Sequence, residues 1–128
     1  MPIIIDGWNL IRNARSPISD DEGDALDSAL HLISYLNRFQ KTHSDPIVVA
    51  FDSKREYLDF DYENTPALKI VATKNADKYI KKYIENVPER QRRNLRVVSS
   101  DNEIFFYAKS LYAEPIRCEE FWAKIKRG

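Results

Sequence analysis

Three times in this chain a strand-like run leads into an aspartate. Ile3-Ile4-Ile5 runs into Asp6, Ile47-Val48-Val49-Ala50-Phe51 into Asp52, and Leu95-Arg96-Val97-Val98-Ser99-Ser100 into Asp101. Runs of β-branched residues without polar alternation suit strands buried on both faces, as in a parallel sheet. Each aspartate then sits at the C-terminal end of its strand. After Asp6, Gly7 lets the backbone turn sharply, and Asn9 brings a neutral amide close to the same spot. Taken singly, each aspartate also reads as structural, because Asp-Gly pairs and loop aspartates are ordinary turn chemistry. The repetition of the pattern gives the functional reading its weight.

Between these runs the spacing predicts helices. Ser19 with Glu22 forms a capping box, and Asp20, Asp21 and Asp24 crowd the positive end of a helix dipole. Capping explains that acidic turn without a metal. Leu26, Ala29, Leu30, Ile33, Leu36 and Phe39 then predict an amphipathic helix from about 20 to 42. Asp45-Pro46 breaks the chain before the second strand. Residues 57–66 alternate aromatic and acidic side chains and fit either an edge strand or a loop. Leu68–Thr73 reads as a third strand. Asn75 is a good N-cap for a helix carrying Ala76, Ile80, Tyr83, Ile84 and Val87 on one face, with Asp77 in its first turn. Asp101 is placed to cap a helix with Ile104, Phe105, Ala108 and Leu111 inward. A short fifth strand over Glu114–Cys118 and a closing helix with Phe121, Trp122 and Ile125 inward complete the reading. The aromatic segment 57–62 and the helix bearing Trp122 are candidate interface surfaces.

Strands alternating with helices predict an α/β fold with a mostly parallel sheet of about four to five strands covered on both faces. Right-handed crossovers point all strands the same way. Asp6, Asp52, Asp77 and Asp101 therefore belong at one edge of the sheet, where ligands bind in open α/β folds. Like charges gathered there raise one another's pKa, and a divalent cation relieves the repulsion. Oxygen-only ligands suit Mg²⁺ or Mn²⁺. Zinc is disfavoured, because neither His31 nor His43 lies near a strand end and Cys118 is the one cysteine. No Gly-rich phosphate loop is present, which disfavours nucleoside triphosphate hydrolysis. An acidic cluster holding one or two ions activates water for attack on a phosphate.

With 128 residues and 43% apolar content, positions 1–128 fit a single domain with a real core. The 20 basic and 20 acidic residues cancel, so a polyanion partner must be met by local charge. Such segregation exists: from Lys74 to Arg96 eight basic residues stand against three acids, a net charge of +5. Lys74 and Lys78 flank Asp77, and Lys54 and Arg55 follow Asp52. Cations beside an acidic pocket suit a phosphodiester backbone. Trp8 and Tyr79 are candidates for stacking on bases. The competing readings are a solvated helix face for the charges and a partly buried core aromatic for Trp8. The lone cysteine, the lack of a signal peptide and the lack of a membrane-length run lead to the expectation of a cytoplasmic protein.

Asp6-Gly7-Trp8-Asn9, Phe51-Asp52, Asn75-Ala76-Asp77-Lys78-Tyr79-Ile80 and Ser99-Ser100-Asp101 resemble the motifs of NYN domains in the PIN-like nuclease superfamily, the YacP-like bacterial branch above all. Tyr112-Ala113 before Ile116, then Glu120-Phe121, is similar to that branch's ending. Trp8 departs from its usual tyrosine, and Tyr112 from its usual glycine. The resemblance implies a PIN-like α/β/α sandwich and metal-dependent cleavage of RNA. It carries the acidic site onto Asp6, Asp52, Asp77 and Asp101, with Asn9 as the supporting amide. Asp6, Asp77 and Asp101 would hold Mg²⁺ or Mn²⁺, with Asp52 completing the cluster. Lys54, Arg55, Lys74, Lys78 and Trp8 would contact RNA, single-stranded or structured. Association with the ribosome stays open, since the chain is shorter than most YacP-like proteins. Two rival readings also stay open, a catalytically silent RNA-binding or interaction module and a phosphohydrolase acting on a small phosphoester.

Overall fold

The computed structural model describes residues 2–18, 25–53 and 64–127. The Ser19–Glu22 capping box, the acidic turn beside it, Lys54, Arg55 and most of the aromatic-acidic segment lie outside the described residues.

Strand β1 (Ile3–Asp6) passes directly into a five-residue helix, α1 (Gly7–Ile11). Then come α2 (Ala25–Phe39), β2 (Ile47–Asp52), β3 (Leu68–Thr73) and α3 (Ala76–Asn86). A 3-10 helix, Glu89–Asn94, leads into β4 (Arg96–Val98), α4 (Asn102–Ser110), β5 (Glu114–Ile116) and α5 (Cys118–Arg127). The sheet has five strands in the order β3-β2-β1-β4-β5, and every pairing is parallel. Ile3 sits beside Ile47 on one side and Arg96 on the other, which fixes the register of the central strand.

Alternation along the strands builds the layers. Ile3, Ile5, Val49 and Phe51 pack with α1, α2 and α5 on one face. Ile4, Val48, Ala50 and Val97 meet Ile80 and Ile84 of α3 and Ile104 and Ala108 of α4 on the other. This is the three-layer α/β/α sandwich with a parallel sheet that the residue pattern and the resemblance predict. Trp122 is fully buried and its indole N–H donates to the Leu10 carbonyl at 2.8 Å, tying α5 to α1. The ring belongs to the core, as the inward placement of Phe121, Trp122 and Ile125 predicts, so any interface on α5 would use its other face.

Two expectations shift. Helix α2 is described from Ala25 and ends at Phe39 rather than near 42. Its end is set by tertiary contacts: the Gln40 side-chain amide donates to the carbonyls of Asp45 and Ala67, and His43 stacks on Phe39. Its core stripe is Ala29, Leu32, Ile33, Leu36 and Phe39, whereas Leu30 is 45% exposed. Helix α1, by contrast, replaces an expected turn. Its first residue must be glycine for reasons of space, since a Cβ on Gly7 would lie 2.5 Å from the Phe51 ring.

Candidate functional site

The strand order places β1 between β2 and β4. The chain moves outward from β1 through β2 to β3 on one side, then returns to lay β4 and β5 on the other. The reversal opens a crevice beyond the carboxyl ends of β1 and β4, where open α/β sheets bind ligands. Asp6 closes β1, and Ser99, Ser100 and Asp101 follow β4. Asp52 closes β2, and Asp77 stands in the first turn of α3 just after β3.

Asp6 is the most enclosed of the four, at 9% exposure. Burial raises its pKa from 3.8 to about 7, and the charges of Asp77 and then Asp101 push the same way. The Ser99 hydroxyl, donating to Asp6 Oδ2 at 3.3 Å, and the facing Asn9 backbone amide pull it down. Although Asp6 precedes α1, its side chain makes no capping hydrogen bond. Asp77 is also raised, first by burial, then by Asp101 and Glu103, with Asp52 adding a smaller push and Lys81 opposing. The four aspartates therefore share one electrostatic neighbourhood, with Asp6 innermost.

Asp101 does a second task. Its Oδ1 accepts from the backbone N–H of Glu103 at 2.8 Å and of Ile104 at 3.3 Å, capping α4. Asn75 caps α3 by accepting from the Lys78 N–H, which fixes Asp77 one turn inside the edge. Asn9 turns its carbonyl oxygen to the loop after β4. Oδ1 accepts from the Ser100 N–H at 2.7 Å and from the Cys118 thiol at 3.1 Å. Burial raises that thiol to about 11, so it stays protonated as a donor. Lys74 and Lys78 are exposed on either side of Asp77 in the chain.

Trp8 corrects an expectation. It is 7% exposed, its ring packs 4.8 Å from that of Phe51, and its indole N–H donates to the Asp52 carbonyl at 2.8 Å. With Arg12 also 5.1 Å from its centroid, neither face is open to a base. Trp8 instead fixes the end of β2 against the start of α1.

Several residues here went unremarked as site residues in the sequence. Ser99 is 1% exposed; it donates to Asp6 and accepts from the Asp101 N–H at 3.1 Å, so it bridges the two aspartates. Its signal was a hydroxyl in an otherwise apolar strand ending. Ser100 donates to Glu119 at 3.0 Å and accepts from the Cys118 N–H, binding the loop to the start of α5. Glu103 pairs with Lys81 at 2.6 Å across α3 and α4; nothing in the local sequence signals that meeting.

The donors collected are oxygens, which fit a hard divalent cation by chemistry. Among the described residues, no three carboxylate, imidazole or thiolate groups lie close enough to hold an ion by themselves. Mg²⁺ does not require that, since it keeps several waters and takes one or two carboxylates together with phosphate oxygens.

The fold and site together are a parallel α/β/α sandwich with carboxylates at the switch point of its sheet. The profile of the YacP-like NYN domain matches residues 3–128, and the chain belongs to that family. Membership places it among the NYN nucleases, which are generally metal-dependent and for which RNA is the implied substrate. The fold is similar to that of Rae1 (YacP) from Bacillus subtilis, with a TM-score of 0.80 at 16% identity, over 99% of this chain and 74% of that one. A tryptophan-to-leucine mutant of the same protein superposes with a TM-score of 0.76 at 17% identity, over 98% and 75%. No curated protein sequence matches. No helix among the described residues is long and apolar enough to cross a membrane.

Proposed function

We propose that this chain is a metal-dependent endoribonuclease working at the Asp6 crevice, residues 1–128 forming one NYN domain in a cytoplasmic setting. The observation that carries the reading is Asp6 itself. A carboxyl group raised to about 7, first by burial and then by Asp77 and Asp101, and making no helix cap, is costly to keep charged in the chain alone. A cation in the crevice would draw it back to the charged form.

In this reading Asp6, Asp77 and Asp101 would hold Mg²⁺ or Mn²⁺ between them, one or two directly and the rest through water, with Asp52 completing the acidic wall. An ion held there would supply the positive charge that polarises a phosphodiester and activates water. The chain's own residues do the positioning. Ser99 holds the Asp6 carboxylate, Asn9 clamps the loop that carries Asp101, and Lys74 and Lys78 take the phosphates flanking the cut. Lys54 and Arg55, next to Asp52 in the chain, would extend that contact.

The test is a paired assay. Wild type and Asp101→Asn are incubated with a mixed structured RNA in Mn²⁺, Mg²⁺ or EDTA. Cleavage by wild type alone, abolished by EDTA, is the expected result, with a loss of at least a hundredfold in the variant, on the order of the effect of removing a group that stabilises developing charge. Equal cleavage by both proteins defeats the assignment. RNA binding that survives EDTA, with no cleavage in any metal, replaces the nuclease with a silent binding module. Turnover of an aryl phosphate, with RNA left intact, points to a small-phosphoester hydrolase.

A further inference from the structure

At the opposite end of α4 from Asp101 stands Tyr112, with a backbone φ of 69° and 68% of its surface exposed. A bulky side chain in the left-handed region is disfavoured, and glycine is the usual occupant. Here an aromatic ring is presented to solvent at that expense. Two adjoining depressions meet at Tyr112 and Arg93, one continuing to Arg90 and Glu89, the other to Lys109, Phe105 and Glu114. Glu114 leans to Arg96 at 3.7 Å.

Asp101, Phe105 and Lys109 recur at intervals of four, so they lie along one face of α4. The Arg117 guanidinium sits 3.7 Å from the Phe105 centroid on that same face. The residues on the other side, Glu103 and Tyr107, bond Lys81 and Glu85 on α3 and so face away. The result is a track of alternating cation and ring from the acidic crevice to the far edge of the sheet. From Asp101 to Tyr112 the helical rise gives about 16 Å. A stacked strand at roughly 3.4 Å per nucleotide covers that in about five nucleotides.

We propose that this track binds single-stranded RNA, with a base stacked on Tyr112 and phosphates on Arg93 and Lys109, about five nucleotides from the bond cut at Asp101. The proposal rests on the RNA-cleaving reading of the crevice. It fits a nucleic acid because the cations Arg93 and Lys109 lie beside the exposed Tyr112 ring, the combination that single strands recognise through backbone and base.

The experiment uses the full chain and a labelled 12-nucleotide single-stranded RNA, with binding followed by anisotropy in EDTA at several salt concentrations. Tyr112→Gly weakens binding about tenfold, within the range for loss of one stacked base. It does not lower the melting temperature, because glycine accepts the left-handed backbone. Arg93→Ala combined with Lys109→Ala reduces the slope of log affinity against log salt by about 1.4, or two phosphates of a single strand. With metal added, both variants cut the 12-mer more slowly but cut a dinucleotide, too short to reach from Asp101 to Tyr112 even when unstacked, as wild type does. Unchanged 12-mer affinity and salt slope overturn the proposal. So does a wild type that does not bind the 12-mer, or a Tyr112→Gly variant altered only in self-association by sedimentation. A wild type that cleaves RNA while the variants behave alike leaves the nuclease and removes the track; binding that falls as expected without cleavage in any metal does the reverse.

Discussion

Asp6 and Asp101 occupy equivalent places, each at the point where a parallel strand gives way to a helix, and the fold holds them in opposite ways. Asp101 is partly exposed and spends Oδ1 on two backbone N–H groups at the start of α4. Asp6 precedes α1 without capping it and lies buried among the charges of its neighbours. The first carboxylate would be well placed in a protein with no ligand at all. The second is costly to charge, and a cation, as proposed above, would relieve it. An aspartate at a strand end is therefore an ambiguous signal, and the absence of a cap separates a primed group from a structural one. In this pair the electrostatic burden rests on Asp6, and Asp101 combines a structural task with its proposed one.

The largest expected effect follows from that burden. In metal-free protein with EDTA, the native pKa of Asp6 is about 7 against 3.8 for its ordinary value. The native state then binds the extra proton between these limits, so stability is full below about pH 4 and is lost as pH rises through 7. The loss attributable to Asp6 is on the order of 4 kcal/mol, at about 1.4 kcal/mol per pH unit. Asp6→Asn keeps an oxygen for the Ser99 hydroxyl but has no charge to bury, so its stability curve is flat over that window relative to wild type. Urea unfolding at pH 4.5 and pH 8 measures the difference. If wild type and Asp6→Asn change in parallel, Asp6 is not the strained member of the pair. Mn²⁺ at pH 8 restores wild type and leaves Asp6→Asn unmoved.

A smaller effect separates the two tasks of Asp101. Asparagine caps a helix about as well as aspartate, whereas alanine cannot. Asp101→Ala is expected to lose about 1 kcal/mol of stability, and Asp101→Asn a few tenths at most. Cleavage should be lost in both. Thermal unfolding of the two variants beside an activity assay reads the split. An Asp101→Asn protein that still cleaves would make Asp101 a cap and nothing more, and the comparison with Asp6 would then be between a site residue and a purely structural one.

The strands and the edge they share were legible because β-branched runs and a parallel connection leave few alternatives. What was not legible came from contacts between distant segments. Helix α1 has five residues and no periodic signal, and its form depends on Phe51 lying against Gly7. Leu30 and Leu32 look equivalent in a leucine-rich stretch, and only the angle at which α2 meets the sheet decides that Leu32 is buried. Trp8, set between a glycine and an asparagine, reads as a loop aromatic until the end of β2 closes over it. The gathering of the four aspartates could be argued from topology. Which one is buried could not, because that depends on how α1, α3 and the loop after β4 close around the crevice.

Ser99 joins the two aspartates and gives the finest test of their difference. Its hydroxyl donates to Asp6 and accepts from the Asp101 N–H, so Ser99→Ala acts on both. For Asp101 the change removes the hydroxyl that accepts from its backbone N–H, with a stability loss of about 1 kcal/mol, while the cap on α4 remains. For Asp6 it removes a donor that favours the charged form, so the pKa rises further. A carboxyl group that ionises at higher pH recruits its cation at higher pH, so the acid limb of the cleavage profile in fixed Mn²⁺ should move toward alkaline pH. Carboxyl chemical shifts in metal-free protein follow Asp6 directly. A profile that keeps its midpoint while only the melting temperature falls would mean that Ser99 serves the loop and not the carboxylate, and the depth of Asp6 alone would then account for its state.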